Sequence, residues 1–73
     1  MSKVEKASFV SSIHVYRAIH RMTQQELAEK VGVSRQTILQ LEKNRYNPSL
    51  LLAFRIAKFF HVRVEDIFVV NES

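Results

Sequence analysis

The sequence contains no cysteine and no tryptophan, and it has only one glycine and one proline. The absence of cysteine excludes disulfide bonds, thiol catalysis and cysteine-ligated zinc. The scarcity of glycine and proline argues against an all-β sandwich, which needs many tight turns. No apolar run approaches the roughly 20 residues that span a bilayer, and the first residues lack the long apolar segment of a signal peptide. We therefore expect a protein of a reducing compartment such as the cytoplasm, with no membrane contact.

The chain of 73 residues has room for one domain with one core. Apolar residues make up 47% of it, which is typical of a globular rather than a disordered chain. No repeat, low-complexity tract or linker divides the sequence, so we predict a single domain over residues 1–73. Most segments between turn-forming residues have helical periodicity, which predicts a mostly α fold.

The positive charge is concentrated in the middle of the chain, although the net charge is only +4. Between positions 30 and 63, Glu42 is the single acid, and the charges after position 63 are all acidic. Such a stretch either faces a polyanion or is an ordinary basic helical surface, and charge alone does not choose between these interpretations. The basic residues of the stretch are Lys30, Arg35, Lys43, Arg45, Arg55, Lys58 and Arg63.

Capping residues predict where the first two helices begin. Ser12 has a hydroxyl that can cap a first helix. Thr23, followed three residues later by Glu26, is typical of a capping box at the start of a second helix. Gly32 is expected to end that helix in the left-handed conformation, because it has no Cβ.

Similar signals place the remaining elements. Ser34 is expected to cap a third helix, which Asn44 ends in a left-handed conformation. Residues 47–48 predict a turn followed by a fourth helix, with the proline in the first turn of that helix. Leu50 is expected to contribute a core side chain from this helix. A short helical turn is expected at residues 64–66, where acids favour a helix start. Residues 8–10 and 67–70 are β-branched or aromatic, which predicts two terminal strands that can pair.

The second and third helices, joined by residues 32–34, form the spacing of a helix-turn-helix over about residues 23–43. Small and apolar side chains occupy the positions that the helix crossing must bury. Ala28 is small where the third helix crosses, and Val33 fills the space between the helices. The seam between the helices is expected to contain Leu27, Val31, Ile38 and Leu41.

Long polar side chains occupy the outer face of the third helix. Arg35 suits guanine or a phosphate, Gln36 and Gln40 suit adenine, and the methyl group of Thr37 suits thymine. The alternative is that these are ordinary exposed helix residues. Because the whole set fits a recognition helix in the major groove, we favour sequence-specific binding of duplex DNA.

The sequence resembles the Cro/C1-type (XRE) helix-turn-helix family, and especially its minimal, phage-repressor-like members. The resemblance covers about residues 13–68. It implies a five-helix, λ-repressor-like domain, in some relatives with a small two-stranded antiparallel sheet from the two termini. It also implies a transcriptional regulator, most simply a repressor, that binds a palindromic operator as a homodimer through a recognition helix at residues 35–43. The residues that carry it are 23–38, Leu41-Glu42-Lys43, Asn47-Pro48-Ser49-Leu50, Ile56-Ala57-Lys58 and Glu65-Asp66-Ile67-Phe68.

The family resemblance also implies roles for single residues. Arg17 and Glu42 match a structural pair that links the first helix to the end of the third. Arg21 replaces a common glycine, and His61 replaces a common turn residue. The positions that resemble phosphate contacts are Gln24, Lys43, Arg45 and Tyr46, and those that resemble base contacts are Arg35, Gln36, Thr37 and Gln40.

Small size and apolar ends favour a dimer surface in the last third of the chain. The candidates are Leu51, Phe60 or its neighbour Phe59, Ile67 and Phe68. Two other roles stay open: an antitoxin or restriction-system controller with its own protein partner, and an interaction module that has lost DNA binding. No enzyme motif, cofactor site or metal site is predicted, because adjacent helical acids such as Glu65 and Asp66 do not face each other and the histidines lack metal-binding spacing.

Overall fold

The computed structural model describes residues 8–71, which form five helices and two strands in the order β1, α1 to α5, β2. This arrangement agrees with the predicted mostly α fold. Within these residues, no helix is long and apolar enough to cross a bilayer. The elements are β1 (Ser8–Ser11), α1 (Ile13–Ile19), α2 (Gln24–Val31), α3 (Arg35–Glu42), α4 (Leu50–Phe59), α5 (Val64–Ile67) and β2 (Phe68–Asn71).

Side-chain caps start α2 and α3 as predicted. The hydroxyl of Thr23 accepts a bond from the Glu26 amide at 3.0 Å, and the Glu26 carboxylate accepts one from the Thr23 amide at 2.8 Å. The hydroxyl of Ser34 accepts a bond from the Thr37 amide at 3.2 Å. Each cap satisfies a backbone group that a helix start leaves free, an effect of about 1 kcal/mol.

Helix α1 begins after Ser12 as predicted but without the predicted cap bond, and the predicted start of α4 was wrong. The hydroxyl of Ser12 makes no cap bond to α1 and instead lies 3.2 and 3.3 Å from the carbonyl oxygens of Asp66 and Ile67. Pro48 lies outside α4, because Ser49 is the capping residue and accepts a bond from the amide of Leu52 at 3.1 Å. Ser12 thereby connects α1 to α5 across the chain.

Four residues with positive φ separate the helices. Gly32 and Asn44 were predicted to be left-handed, and their φ values are 80° and 59°. Arg21 and His61 also have positive φ, at 56° and 58°. Asparagine suits this conformation because its side chain is short and polar. The side-chain oxygen of Asn44 also accepts a bond from the Ser11 amide at 2.9 Å. The turn after α3 is therefore fixed to β1.

The terminal strands pair antiparallel, as predicted, with Val10 opposite Val69 and Ser11 opposite Phe68. Ile67 was expected in the second strand, but it is the last residue of α5 and is buried in the core. The rings of Phe9 and Phe68 pack edge to face with 5.7 Å between their centres, and this contact holds the two-stranded sheet against the core.

One core holds the helices together. The predicted seam of the helix-turn-helix is buried as expected, and α4 adds a stripe of apolar residues. Leu50 was expected in this core but is 74% exposed, because it is the first residue of α4 and lies before the buried residues of that helix. The buried apolar residues from α2 to α4 are Leu27, Ala28, Val31, Ile38, Leu41, Leu52, Ala53, Ile56 and Ala57.

Candidate nucleic-acid interface

Helix α3 presents two different faces. Ile38 and Leu41 are fully buried and hold the helix against α2 and the rest of the core. Arg35 and Gln36 are exposed at the amino-terminal end, and Gln40 lies one turn beyond Gln36, half-buried on the same side. The packing thus fixes the helix and leaves its polar side chains free to contact a ligand.

Thr37 differs from its neighbours because its hydroxyl already has a partner. Its oxygen lies 3.1 Å from the hydroxyl oxygen of Ser34, the residue that caps α3. The hydroxyl of Thr37 is therefore held in the start of the helix. Its methyl group is the part of the side chain left without such a bond, which suits an apolar contact.

A carboxylate at the end of α3 joins three helices. Glu42 accepts bonds from the Arg17 guanidinium at 2.7 and 3.1 Å, so the pair predicted to link α1 and α3 forms with two contacts. Arg17 also donates to the carbonyl of Met22 at 2.9 Å, which braces the turn before α2. The side-chain amide nitrogen of Gln24, the first residue of α2, donates to the carboxylate of Glu42 at 3.0 Å. The network fixes the helix-turn-helix relative to α1.

The network shifts the pKa values of its charged members. Burial raises the pKa of Glu42, but the hydrogen bonds from Arg17 and Gln24 and the charge of Arg17 outweigh it, so the pKa falls below its ordinary value. The hydrogen bond to Glu42 raises the pKa of Arg17, and partial burial opposes this. Both groups are therefore held in their charged forms.

The residues predicted to contact phosphates lie at two places. Gln24 is half-buried at the start of α2, where its bond to Glu42 holds the amide and leaves a second N–H. Lys43, Arg45 and Tyr46 are exposed after α3. The loop is also held at Arg45, next to Asn44, because the Arg45 amide donates to the carbonyl of Gln40 at 3.0 Å. Nothing in the sequence pattern had indicated that Asn44 anchors this loop through β1.

The predicted dimer residues have different surroundings, because three of them are buried within the protomer. Phe60, Ile67 and Phe68 are 4%, 0% and 9% exposed, because they fill the protomer's own core. Phe60 packs against Tyr16 at 5.6 Å between ring centres. Leu51 is 61% exposed. Phe54, for which the sequence pattern gave no prediction, is 56% exposed on the same helix.

Comparison with known proteins places this geometry in a family. The helix-turn-helix family matches residues 13–67. A transcriptional regulator of the helix-turn-helix type from Methanocaldococcus jannaschii is 56% identical over 63 residues, which cover 86% of this chain and 96% of that protein. An immunity repressor of Bacillus phage phi105 is 36% identical over 55 residues, which cover 75% of this chain and 38% of the repressor. The crystal structure of the transcriptional regulator VanUg superimposes with a TM-score of 0.75 at 26% identity, covering 92% of this chain and 89% of that one.

The fold and the match together define a DNA-binding transcriptional regulator rather than an enzyme. The chain belongs to the Cro/C1-type helix-turn-helix family, as its sequence pattern predicted.

Proposed function

We propose that this regulator binds a palindromic duplex operator as a homodimer in the cytoplasm and represses transcription from it. The observation that carries the proposal is the outer face of α3, which is polar, exposed at its amino-terminal end and held rigidly by the buried face beneath it. A recognition helix needs this combination, because base contacts discriminate only when the helix is fixed in the groove.

In the proposed complex, α3 lies in the major groove. Arg35 and Gln36 contact base edges near the amino-terminal end of the helix, Gln40 contacts a base one turn further, and the methyl group of Thr37 contacts a thymine. These contacts choose the sequence. The exposed positions of Arg35 and Gln36 and the occupied hydroxyl of Thr37 support this division.

Phosphate contacts position the helix and supply most of the salt-dependent affinity. Gln24 contacts one phosphate at the start of α2, and its remaining N–H is aimed by the bond to Glu42. Lys43, Arg45 and Tyr46 contact the backbone from the loop after α3, which Asn44 anchors.

A homodimer presents two such helices to one operator. Two-fold symmetry places the recognition helices about one turn of DNA apart, roughly 34 Å, which matches two half-sites of a palindrome. Repression is the simplest outcome, because a small domain on an operator blocks access to it. The similarity to a phage immunity repressor supports this direction of control.

Selection of bound duplexes from a random pool tests the proposal directly. We expect an enriched inverted repeat, bound more weakly as salt rises. On that sequence, Gln36→Ala should relax the preference at one base pair by about 1–3 kcal/mol, whereas Arg45→Ala should weaken binding to all sequences and flatten the salt dependence.

Each variant has a matched control. Gln25→Ala removes the same kind of side chain from α2, and Lys58→Ala removes an exposed cation from α4. Neither should change base preference or the salt dependence comparably. A pool with no enriched sequence would contradict sequence-specific binding, and equal losses of preference from the Gln36 and Arg45 variants would contradict the assigned roles.

A further inference from the structure

A groove between the carboxyl-terminal end of α2 and the middle of α4 is lined by three basic side chains. This α2–α4 groove has a volume of about 430 Å³. Among residues 8–71, none of the positions proposed to contact DNA lines it. The residues that line it are Glu29, Lys30, Val31, Gly32, Arg55, Lys58 and Phe59.

We propose that the α2–α4 groove binds an acidic, amphipathic segment of another protein. In this contact, one apolar side chain of the segment covers the floor of the groove, and carboxylates on either side of it meet the three cations. The proposal goes beyond operator binding, because it concerns a protein ligand and a part of the surface that includes none of the proposed operator contacts.

The cations of the groove form no ion pair with its carboxylate. The ion pairs among residues 8–71 lie elsewhere, and none includes Lys30, Arg55 or Lys58. The carboxylate of Glu29 instead accepts a bond from the side chain of Gln25 at 3.0 Å. With Glu29 counted, three cations and one carboxylate leave the groove a net charge of +2. Like charges held close together repel one another, and the carboxylates of a ligand relieve that repulsion.

The central cation, Arg55, is held by the end of α2. Its Nη1 atom lies 3.5 Å from the carbonyl oxygen of Val31, one of the carbonyls that a helix end leaves free. The same nitrogen lies 3.4 Å from the position that a Cβ on Gly32 would take, so the guanidinium packs over this turn. Its remaining N–H groups are available to a carboxylate. Because the side chain is already held, less conformational entropy is lost when a ligand binds.

The floor of the groove is apolar, which favours a peptide over a nucleic acid. Val31 is 4% exposed and Phe59 is half-buried. Arg55 and Lys58 lie within about one turn of Phe59 on the same side of α4, so the charges border the floor. A peptide can place an apolar side chain on this floor and carboxylates at the border. A nucleic acid backbone carries a charge at every phosphate and has no such side chain.

Titration of the isotope-labelled full chain with short peptides, followed by NMR, tests the proposal. The probe is an end-blocked peptide of sequence Glu-Glu-Leu-Glu-Glu. We expect it to shift the amide signals of residues 29–32 and 55–59. Two comparison peptides, Gln-Gln-Leu-Gln-Gln without the charges and Glu-Glu-Gly-Glu-Glu without the apolar side chain, should each bind at least about fivefold more weakly.

Charge reversal in the groove should weaken the binding of the acidic probe. We expect a loss of at least about tenfold from Arg55→Glu and from Lys58→Glu. Arg21→Glu is the matched control, because Arg21 is exposed, gives the same change in net charge and does not line the groove. Lys58→Glu keeps the test decisive if Arg55→Glu destabilises the end of α2. Circular dichroism establishes that each variant is folded.

The same titration on the operator complex separates a protein ligand from a nucleic acid. We expect the acidic probe to bind the complex as it binds the free chain. Displacement of the probe by the operator would assign the groove to DNA and overturn the proposal. Absence of binding, equal binding of the uncharged peptide, or an equal loss from Arg21→Glu would overturn it too. The titration of the free chain needs no DNA, so a failure of operator binding leaves its result unchanged.

Discussion

Helices α3 and α4 bury one face each in the same core, but their outer faces differ in chemistry. The outer face of α3 carries Arg35 and Gln36, whereas that of α4 carries Leu51 and Phe54. A polar outer face retains its water until it meets a polar ligand such as DNA. An apolar outer face gains free energy when another apolar surface covers it. The two outer faces therefore differ in the ligand they suit, and only that of α3 suits a nucleic acid.

The largest expected effect concerns the buried faces of α3 and α4, which pack in the same core. Ile38→Ala and Ile56→Ala remove fully buried side chains and should lower the free energy of unfolding by about 2–5 kcal/mol each. Ile19→Ala removes the same atoms from an exposed position and should change it by less than about 0.5 kcal/mol. Urea denaturation at one protein concentration measures all three. Similar losses for Ile19 and Ile38 would contradict the assignment of inner and outer faces.

An intermediate effect is expected at the carboxylate that fixes α3. Glu42→Gln leaves Arg17 without its charged partner, and the loss should be about 1.5–3 kcal/mol at neutral pH, as for a hydrogen bond between charged groups. Both side chains retain some exposure, so the full penalty of a buried ion pair does not apply.

The dependence on pH identifies the charge as the cause. Because the pKa of Glu42 is lower in the folded than in the unfolded chain, its contribution is present above the unfolded value, about 4.3, and is lost as pH falls through the folded pKa. Unfolding of wild type and Glu42→Gln should therefore differ most near pH 7 and converge in acid. If the difference in unfolding free energy between the two proteins stayed constant as the pH fell below about 4, close to the pKa of glutamate in the unfolded chain, the charge of Glu42 would not be its cause.

The smallest expected effect separates the two groups of Thr37. Thr37→Ser keeps the hydroxyl that bonds to Ser34 and removes the methyl group, whereas Thr37→Val does the reverse. If the methyl group contacts a thymine, the serine variant should lose about 1 kcal/mol of preference at one base pair and the valine variant little. Competition binding on the selected operator measures this. The opposite order would show that the hydroxyl reads the DNA.

Local signals predicted the parts of the interface that depend on neighbours in sequence. The cap at Ser34 and the capping box at Thr23 act within three residues, so their bonds follow from the sequence itself. The left-handed conformations of Gly32 and Asn44 follow from their residue types. The pairing of Arg17 with Glu42 was inferred only from the family resemblance, since the residues are 25 positions apart.

Contacts between distant residues escaped prediction. The bond of Asn44 to Ser11 spans 33 positions, and the contact of Ser12 with the end of α5 spans more than 50. Neither has a local signature, because each exists only after β1 and α5 have docked. The docking of β1 also fixes the loop after α3, so it determines which of the predicted phosphate-contact residues are held in place in the absence of DNA.

The sequence by itself determined the family, the order of the helices, the buried seam of the helix-turn-helix and the polar side of α3. It did so because periodicity and caps act over a few residues. Only the tertiary structure decided which apolar residues face outward. Phe60, Ile67 and Phe68 are buried and Leu50 and Phe54 are exposed, although all are apolar. Burial is a property of packing among distant elements, so residue type alone does not distinguish a core side chain from one that lies exposed at the surface.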